Sequence, residues 1–394
     1  MLLRIDNTPR PYAWGSQTAI ADLLGTAPSG RPEAELWLGD HPGSPARIVE
    51  GAEEPDLAAH LTARGEKLPF LLKVLAAAEP LSLQAHPTIT QAREGFAREN
   101  AAGIALDDPT RNYKDELHKP ELIYALSDPF IALAGFRSID AARSELQRAS
   151  LAIDGSDDGA RSDRPHLAPL IAALTDDAAL PDIVRWIIDG GEGIAELVEA
   201  ATRTAAHLDG SDDDTQSWVT VRRLAHHYPG DPGILLSLLM HTVVLRPGEA
   251  LYLPTGNIHS YQQGLAIEVM AASDNVLRGG LTPKHVDVPE LMTVLDTRPV
   301  PQPRIDPVEV APGVLRFAPD VVDFALTVIE AGAAADGVTL DARGPAIALC
   351  LEGSATLQGS LVLERGQAAY CDEDALSIRG TGRLVVATGR HPEY

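Results

Sequence analysis

The segment 243–284 constrains the fold most, because short apolar runs in it alternate with tight breaks. A Pro247-Gly248 turn separates two alternating runs, a pattern typical of paired strands joined by a tight turn. A further break at Pro254 precedes His259. We therefore expect a strand pair with His259 at its mouth, where an imidazole is well placed to bind a ligand. The other interpretation is a barrel strand that carries an incidental surface histidine.

Composition limits the class of protein. At 394 residues, the chain is long enough for two or three domains with sizeable cores. The formal net charge of −24 argues against a nucleic-acid partner, because binding to a phosphate backbone needs a basic surface. Cys350 and Cys371 are the only cysteines, which excludes a disulfide framework and a zinc finger built on thiolates. Without a signal-like or long apolar segment, we expect no membrane association and a cytoplasmic protein. We further expect a monomer or weak homo-oligomer.

The central part of the chain, residues 139–229, has helical periodicity and many alanines. Two acidic stretches, Asp154–Asp163 and Asp209–Asp214, interrupt it, and we interpret both as solvated connections between helices. The breaker Pro229–Gly233 follows, and we expect β structure to resume at about Gly233.

The helical block is thus predicted to be inserted into one β domain, formed by residues 1–138 and 230–298. The remainder of the chain, residues 305–394, consists of short alternating segments with glycine turns, which predicts a β-sandwich or β-barrel. No histidine occurs between Pro307 and Arg390. We therefore expect the C-terminal domain to be metal-free and to serve mainly in packing.

The nearly apolar segment 68–88 contains a few polar residues that need an explanation. Lys73 lies within it, and a lysine in a buried strand requires a partner or a ligand because an unpaired buried charge is costly. Ser82, Gln84 and His86 alternate and therefore point to one face of a strand. This pattern predicts a strand that presents ligands. As an alternative, Gln84 and His86 face solvent on an edge strand.

Two more groups of polar residues complete the candidate site. His118, Lys119 and Glu121 come directly before an apolar strand at 122–126, which suggests the rim of a site. Trp14 lies in a segment flanked by proline and glycine, where it could anchor the core or stack on a sugar.

The combined donor set favours a transition metal. It offers two imidazoles, one carboxylate and one amide oxygen: Gln84, His86, Glu121 and His259. Nitrogen and oxygen ligands without thiolate suit a catalytic zinc, although the same types also suit iron or manganese. Cations concentrate in or near the same segments: Lys73, Lys119, Arg278 and Lys284. In a chain this acidic, such a cluster points to an anionic small molecule such as a phosphate.

Seven motifs between Pro11 and about Val288 resemble those of type I mannose-6-phosphate isomerases. In order they are PYAWGS, AELWLG, LPFLLKVL, LSLQAHP, HKPEL, GEALYLPTGNIHSY and ASDNVLRGGLTPK. The spacing of Gly248, Pro254 and His259 is also similar to the second metal motif of the cupins. The resemblance implies a mainly β fold: a cupin-type β-barrel (jelly roll) catalytic domain, an inserted α-helical domain and a second C-terminal β-barrel or sandwich. This chain departs from the family pattern at Leu117 and Gly279.

The resemblance further implies a zinc-dependent enzyme that interconverts mannose 6-phosphate and fructose 6-phosphate. One zinc ion per chain would be bound by Gln84, His86, Glu121 and His259, and Arg278 would be an active-site residue. For the base, the residues leave open Glu268, Lys119 and a water held by the metal. His118 or Asp274 could assist ring opening. The expected contacts to the phosphosugar substrate are Trp14, Lys73, Ser82 and Lys284.

Two other functions share part of this pattern. A metal cupin oxygenase would have the barrel and a His/Glu ligand set, but it would usually show an HxH motif where this chain has Gln84-Ala85-His86. It would also have no need for the lysine cluster. A non-catalytic sugar-binding cupin would not need all four predicted metal ligands.

Overall fold

The computed structural model describes residues 1–154 and 166–389. The fold is mainly β, with strands in two ten-stranded sheets and most helices in one block within residues 139–239. Apart from the backbone of Asp154, the acidic stretch Asp154–Asp163 lies outside the described residues. Within them, no helix is both long enough and apolar enough to cross a membrane.

The β-strands follow one another along the chain with the following bounds. They are β1 (Leu2–Asp6), β2 (Glu35–Leu38), β3 (Arg47–Glu50), β4 (Phe70–Ala77), β5 (Leu83–Ala85), β6 (Glu121–Ala125), β7 (Phe130–Phe136), β8 (Met240–Leu245), β9 (Ala250–Leu253), β10 (His259–Ala271), β11 (Leu277–Gly280), β12 (Arg304–Ile305), β13 (Val308–Ala311), β14 (Val314–Phe317), β15 (Ala325–Ile329), β16 (Val338–Glu352), β17 (Ser354–Leu357), β18 (Leu361–Glu364), β19 (Ala368–Gly380) and β20 (Arg383–Thr388).

Most of the α-helices cluster in the middle of the chain. They are α1 (Ala19–Leu24), α2 (Leu57–Ala63), α3 (Ile89–Ala101), α4 (Ile139–Asp154), α5 (Ala168–Ala173), α6 (Leu180–Ile188), α7 (Ile194–His207), α8 (Gln216–His227), α9 (Gly233–Leu239) and α10 (Val288–Val294).

Strand β10 organises the sheet that carries the site. Its first residues pair with β5 and β7, and its later residues pair with β4 and β6. Gly264 lies between the two halves at φ 119°, and a Cβ there would come within 2.8 Å of the Phe130 ring. Only glycine fits this bend without strain. One strand therefore joins both sides of a rolled antiparallel sheet and brings its two ends to one site.

The N-terminal strand departs from the predicted domain boundary. β1 pairs with β19 at Leu3–Tyr370, and β3 pairs with β1. The first strand and the segment Arg47–Glu50 therefore extend the C-terminal sheet, whereas the prediction assigned all of residues 1–138 to the first β domain. Local patterns identify a strand but not a partner hundreds of residues away, which explains the difference.

The helical block extends further than predicted. The predicted helical region 139–229 contains α4 to α8. The expectation that β structure resumes at about Gly233 is wrong, because residues 233–239 form α9. Every residue of α9 is buried. A short, continuous apolar run such as GILLSLL cannot be assigned to strand or helix from periodicity alone.

The two sheets pack against each other behind the site. Tyr124 on β6 meets Phe317 edge to face, with ring centroids 5.5 Å apart. The guanidinium of Arg383 on β20 donates to the Tyr124 hydroxyl at 2.5 Å. These contacts hold β6 against the C-terminal sheet. Since Glu121 begins β6, they also help to fix the position of Glu121.

Candidate metal centre and substrate site

Three potential metal ligands lie at strand ends in the rolled sheet. His86 directly follows β5, Glu121 begins β6, and His259 begins β10. Each is about 1% exposed, and their ligand atoms all lie within 4.8 Å of one another. Glu121 stands between the rings: its Oε1 is 3.1 Å from His86 Nε2 and its Oε2 is 3.2 Å from His259 Nε2.

Backbone carbonyls orient both imidazoles. His86 Nδ1 lies 2.7 Å from the carbonyl of Asn275, and His259 Nδ1 lies 3.1 Å from that of Asn257. A carbonyl only accepts, so both Nδ1 atoms carry protons and both Nε2 lone pairs face Glu121. The two buried Nε2 atoms have no hydrogen-bond partner among the described residues, and leaving them so is costly. The three residues therefore fit a metal ion.

The protonation states also suit a metal. Burial, reinforced by the charge of Lys119, lowers the pKa of His86 to about 4, so its imidazole is neutral at physiological pH. Burial alone would raise the pKa of Glu121, but Lys119 and the two histidines outweigh it and hold that pKa well below its usual range. Neutral imidazole and ionised carboxylate are the forms that bind metals.

Gln84, the predicted fourth ligand, is half-buried on β5. Its Cα pairs with His259 on one side and with Arg278 on the other. Directly opposed residues on neighbouring strands share a face of the sheet, so His259, Gln84 and Arg278 form a row across β10, β5 and β11. This placement supports Gln84 as a ligand, which stays a prediction.

Lys73 has the partners that its burial requires. Its Nζ lies 2.9 Å from Glu268 Oε2 and 3.8 Å from Glu35 Oε1, and it lies 5.2 Å from the centroid of the Trp37 ring. Burial alone would lower the pKa of Lys73, but Glu268, Glu35 and Glu121 outweigh it and raise that pKa. Lys73 is therefore an ammonium, and its contacts favour charge balance over the predicted contact to substrate.

Burial raises the pKa of Glu268, while the ammonium of Lys73 opposes that rise. On the other side of the site, Lys119 Nζ lies 3.0 Å from Glu121 Oε1. Both residues, predicted as alternative bases, therefore lie among the charges that surround the three metal ligands.

Arg278 and Lys284 are available cations. Burial lowers the pKa of both, and the charge of Arg278 further lowers the pKa of Lys284. Among the described residues, neither side chain has a partner for a hydrogen bond or an ion pair. Arg278 is half-buried and Lys284 is exposed, and two such cations without counter-ions among the described residues are suited to bind an anionic group.

The remaining predicted substrate contacts are less distinctive. Ser82 precedes β5 and is half-buried. Trp14 stacks on Tyr12 with centroids 5.8 Å apart, and it also packs against the apolar core of the rolled sheet. These contacts support the predicted role of Trp14 as a core anchor, and its stacking on a sugar stays a prediction.

Two predicted catalytic residues have other partners. His118 Nε2 lies 2.8 Å from Asp323 Oδ2, which comes from the C-terminal part of the chain, and this contact favours a structural role for His118. Asp274 Oδ2 lies 3.1 Å from His41 Nε2. Burial alone would raise the pKa of Asp274, but His41 more than offsets it, so the carboxyl stays ionised.

Sequence reasoning missed Tyr261 as part of the site. The Tyr261 hydroxyl donates to Glu121 Oε2 at 2.9 Å. Its position two residues after His259 on one strand was an available signal, because such residues share a face. Glu35 and Asn275 contribute through contacts distant in sequence, which no local pattern reveals.

A rolled antiparallel sheet that gathers two imidazoles and a carboxylate at its mouth defines a metal-binding β-barrel protein of the cupin type. The family model for the catalytic domain of type I phosphomannose isomerase matches residues 2–139. Mannose-6-phosphate isomerase from Salmonella typhimurium is 38% identical, with 97% of this chain and 98% of that protein covered. The enzyme of the same name from Bos taurus is 30% identical, with 90% and 89% covered.

Solved structures are similar over the whole fold. A crystal structure of mannose 6-phosphate isomerase with zinc bound has a TM-score of 0.84 and 36% identity, covering 99% of this chain and 100% of that one. A mutant of phosphomannose isomerase from Salmonella typhimurium has a TM-score of 0.86 and 35% identity with the same coverage. The chain belongs to the mannose-6-phosphate isomerase family.

Proposed function

We propose that the chain is a zinc-dependent aldose–ketose isomerase that interconverts mannose 6-phosphate and fructose 6-phosphate. The relatives named for this activity align over nearly the whole chain, and related structures contain zinc. The observation that carries the proposal is the pair of buried Nε2 atoms of His86 and His259, both turned toward Glu121. Neither an oxygenase nor a non-catalytic sugar-binding protein is favoured by these relatives.

In this proposal one zinc ion is held by His86, Glu121 and His259, with Gln84 as a fourth ligand. When bound, zinc supplies positive charge that stabilises an oxyanion on the substrate. The protonated Nδ1 atoms keep both imidazoles in the orientation that the metal requires. The charge of Lys119 keeps Glu121 ionised.

We assign substrate binding to the free cations. Arg278 and Lys284 hold the anionic phosphosugar, and Ser82 contributes a hydroxyl at the start of β5. Arg278 pairs with Gln84 across β5 and β11, which supports its assignment to the same site as the metal ligands. Trp14 forms an aromatic wall against which an apolar face of the sugar can pack.

The chemistry requires movement of one proton in the open-chain sugar. A base removes the proton from C2 of the aldehyde while O1 gains a proton, giving an enediol; loss of the O2 proton and return of a proton to C1 then give the ketose. We propose Glu268 as the base, because it is a buried carboxylate held by Lys73, with Lys119 as the alternative. Asp274, at the rim, is placed to assist ring opening.

The proposal has further parts that rest on sequence. The two buried cysteines, Cys350 and Cys371, are free thiols, which suits a reducing cytoplasm. The net charge of −24 opposes binding to nucleic acid. We propose that the chain works as a monomer or weak homo-oligomer.

The direct test is an assay of zinc-replete protein with mannose 6-phosphate, with detection of fructose 6-phosphate. Unphosphorylated mannose serves as the matched substrate, and the proposal expects much weaker turnover of it because Arg278 and Lys284 lose their anion. An absence of product from folded, zinc-replete protein would reject the proposal, and oxygen uptake or sugar binding would then be measured.

A further inference from the structure

Asn275 is a fully buried amide whose hydrogen bonds all go to one neighbouring loop. Its exposed fraction is 0%. Oδ1 accepts from the backbone N–H groups of Lys114 at 2.7 Å and Asp115 at 3.2 Å. Nδ2 donates to the carbonyls of Asp115 at 2.9 Å and Leu117 at 2.8 Å. A single side chain thus satisfies two donors and two acceptors of the loop 114–117.

The side chain of Asp115 in turn accepts hydrogen bonds from the segment that contains Asn275. Its Oδ1 accepts from the Ser273 hydroxyl at 2.8 Å, and its Oδ2 accepts from the backbone N–H of Asp274 at 2.8 Å. The side chains of Asp115 and Asn275 therefore bind each other's backbone segments reciprocally. We call this pair the 115–275 clasp.

The clasp joins two parts of the metal centre. The backbone carbonyl of Asn275 accepts from His86 Nδ1 at 2.7 Å. The loop 114–117 leads directly into Lys119 and Glu121. Asn275 thus binds the potential metal ligand His86 through its backbone carbonyl. Through its side-chain amide it binds the loop that leads to a second potential ligand, Glu121. His86 and Glu121 come from different strands, so their spacing needs such a connection.

We propose that Asn275 is a positioning residue for zinc, acting through the 115–275 clasp. It holds the His86 ring in the tautomer and orientation that expose Nε2, and it fixes the distance from His86 to Glu121. This inference rests on the proposed metal site. Partners of this kind, outside the ligands themselves, typically change metal affinity by about 10–100-fold when they are removed.

The test measures zinc affinity as well as stability. Metal-free wild type, Asn275→Ala and Gln358→Ala are titrated with zinc in competition with a chromophoric chelator, and the Tm of each metal-free protein is recorded. Gln358 is the matched control, because its amide also bonds the backbone of Ala375 and Ser377 but lies in the C-terminal sheet. We expect Asn275→Ala to lose about 10–100-fold in zinc affinity, and Gln358→Ala to bind zinc like the wild type.

A lower Tm of metal-free Asn275→Ala with unchanged zinc affinity would overturn the inference, because the clasp would then be merely structural. If Asn275→Ala does not fold, Asp115→Asn decides, since it keeps the shape of the clasp and exchanges one acceptor oxygen for an amide that cannot accept. Weaker zinc binding by Asp115→Asn supports the clasp, and wild-type affinity rejects it. Failure of the wild type itself to bind zinc would instead reject the proposed site.

Discussion

Lys73 and Glu268 lie directly opposite each other on β4 and β10, with Nζ 2.9 Å from Oε2, and both side chains are buried. A buried ion pair contributes little net stability, because desolvation of the two charges offsets their attraction. This pair lies beside the three potential metal ligands, where an ionised carboxylate is useful in chemistry. Its position therefore favours a functional reason for the pair.

Replacement of Glu268 by glutamine removes the proposed base and keeps the side-chain shape. We expect turnover of mannose 6-phosphate to fall about 10²–10⁴-fold, the usual contribution of a general base, while zinc content stays at the wild-type level. Steady-state kinetics and metal analysis measure both quantities. Glu249→Gln, at a surface carboxylate paired with Arg304, is the control. Turnover within about threefold of wild type would remove Glu268 as the base and leave Lys119.

Replacement of Lys73 by methionine tests the charge balance. The single variant leaves Glu268 buried without its partner, which we expect to cost about 3–5 kcal/mol in free energy of unfolding. Lys73→Met combined with Glu268→Gln should recover part of this loss, because neither charge then remains. Denaturant unfolding of the metal-free proteins gives the double-mutant cycle. A double variant as unstable as the sum of the singles would contradict the proposed coupling.

Local sequence patterns predicted the three potential metal ligands and the need for a partner at Lys73. The alternation of Gln84 and His86, and the break before His259, marked strand ends that the structure brings together. The need for a partner at Lys73 was also correctly inferred. The identity of that partner was not, because Glu268 and Glu35 reach Lys73 through pairing between distant strands.

The same limit explains the errors in the fold. The pairing of β1 with β19 joins the two ends of the chain, and no local signal specifies it. The apolar run in α9 reads equally well as strand or helix. His118 was predicted to lie at the rim of the site because it precedes an apolar strand, whereas its contact with Asp323 depends on how the two sheets pack.

Replacement of Arg278 or Lys284 should impair catalysis or substrate binding without changing zinc binding. We expect Arg278→Ala to keep zinc and to lose turnover. The free energy of unfolding should change by no more than about 0.5 kcal/mol, because the side chain has no hydrogen-bond or ion-pair partner among the described residues. Lys284→Ala should mainly raise KM for the phosphosugar. Arg298→Ala, at an exposed arginine on the surface, is the control. Near-normal kcat and KM in both site variants would reject their assignment to the substrate.

The lowered pKa of Glu145 should make the free energy of unfolding depend on pH through the helical block. Burial alone would raise its pKa, but Arg137, Thr215 and Ser217 together lower it below the ordinary value of 4.5. Because the folded-state pKa is the lower one, the stabilisation is complete above that ordinary value and is lost as the pH falls through the folded-state pKa. Near neutral pH, we expect the free energy of unfolding of the wild type to be about 1–3 kcal/mol larger than that of Glu145→Gln. The difference should shrink in acid, and an advantage that stays constant from neutral pH to pH ~3 would contradict this account.

The account as a whole depends on one zinc ion held by His86, Glu121 and His259. The most direct test is to remove metal with a chelator, dialyse, and titrate zinc back while measuring both bound metal and conversion of mannose 6-phosphate. We predict that metal-free protein is inactive and that activity rises with zinc and saturates at one equivalent per chain. His259→Ala should not bind zinc, and added zinc should not make it active. His226→Ala, at an exposed helix end, should bind zinc and gain activity like the wild type. Full activity in metal-free protein, or saturation of zinc binding without any activity, would contradict the central claim.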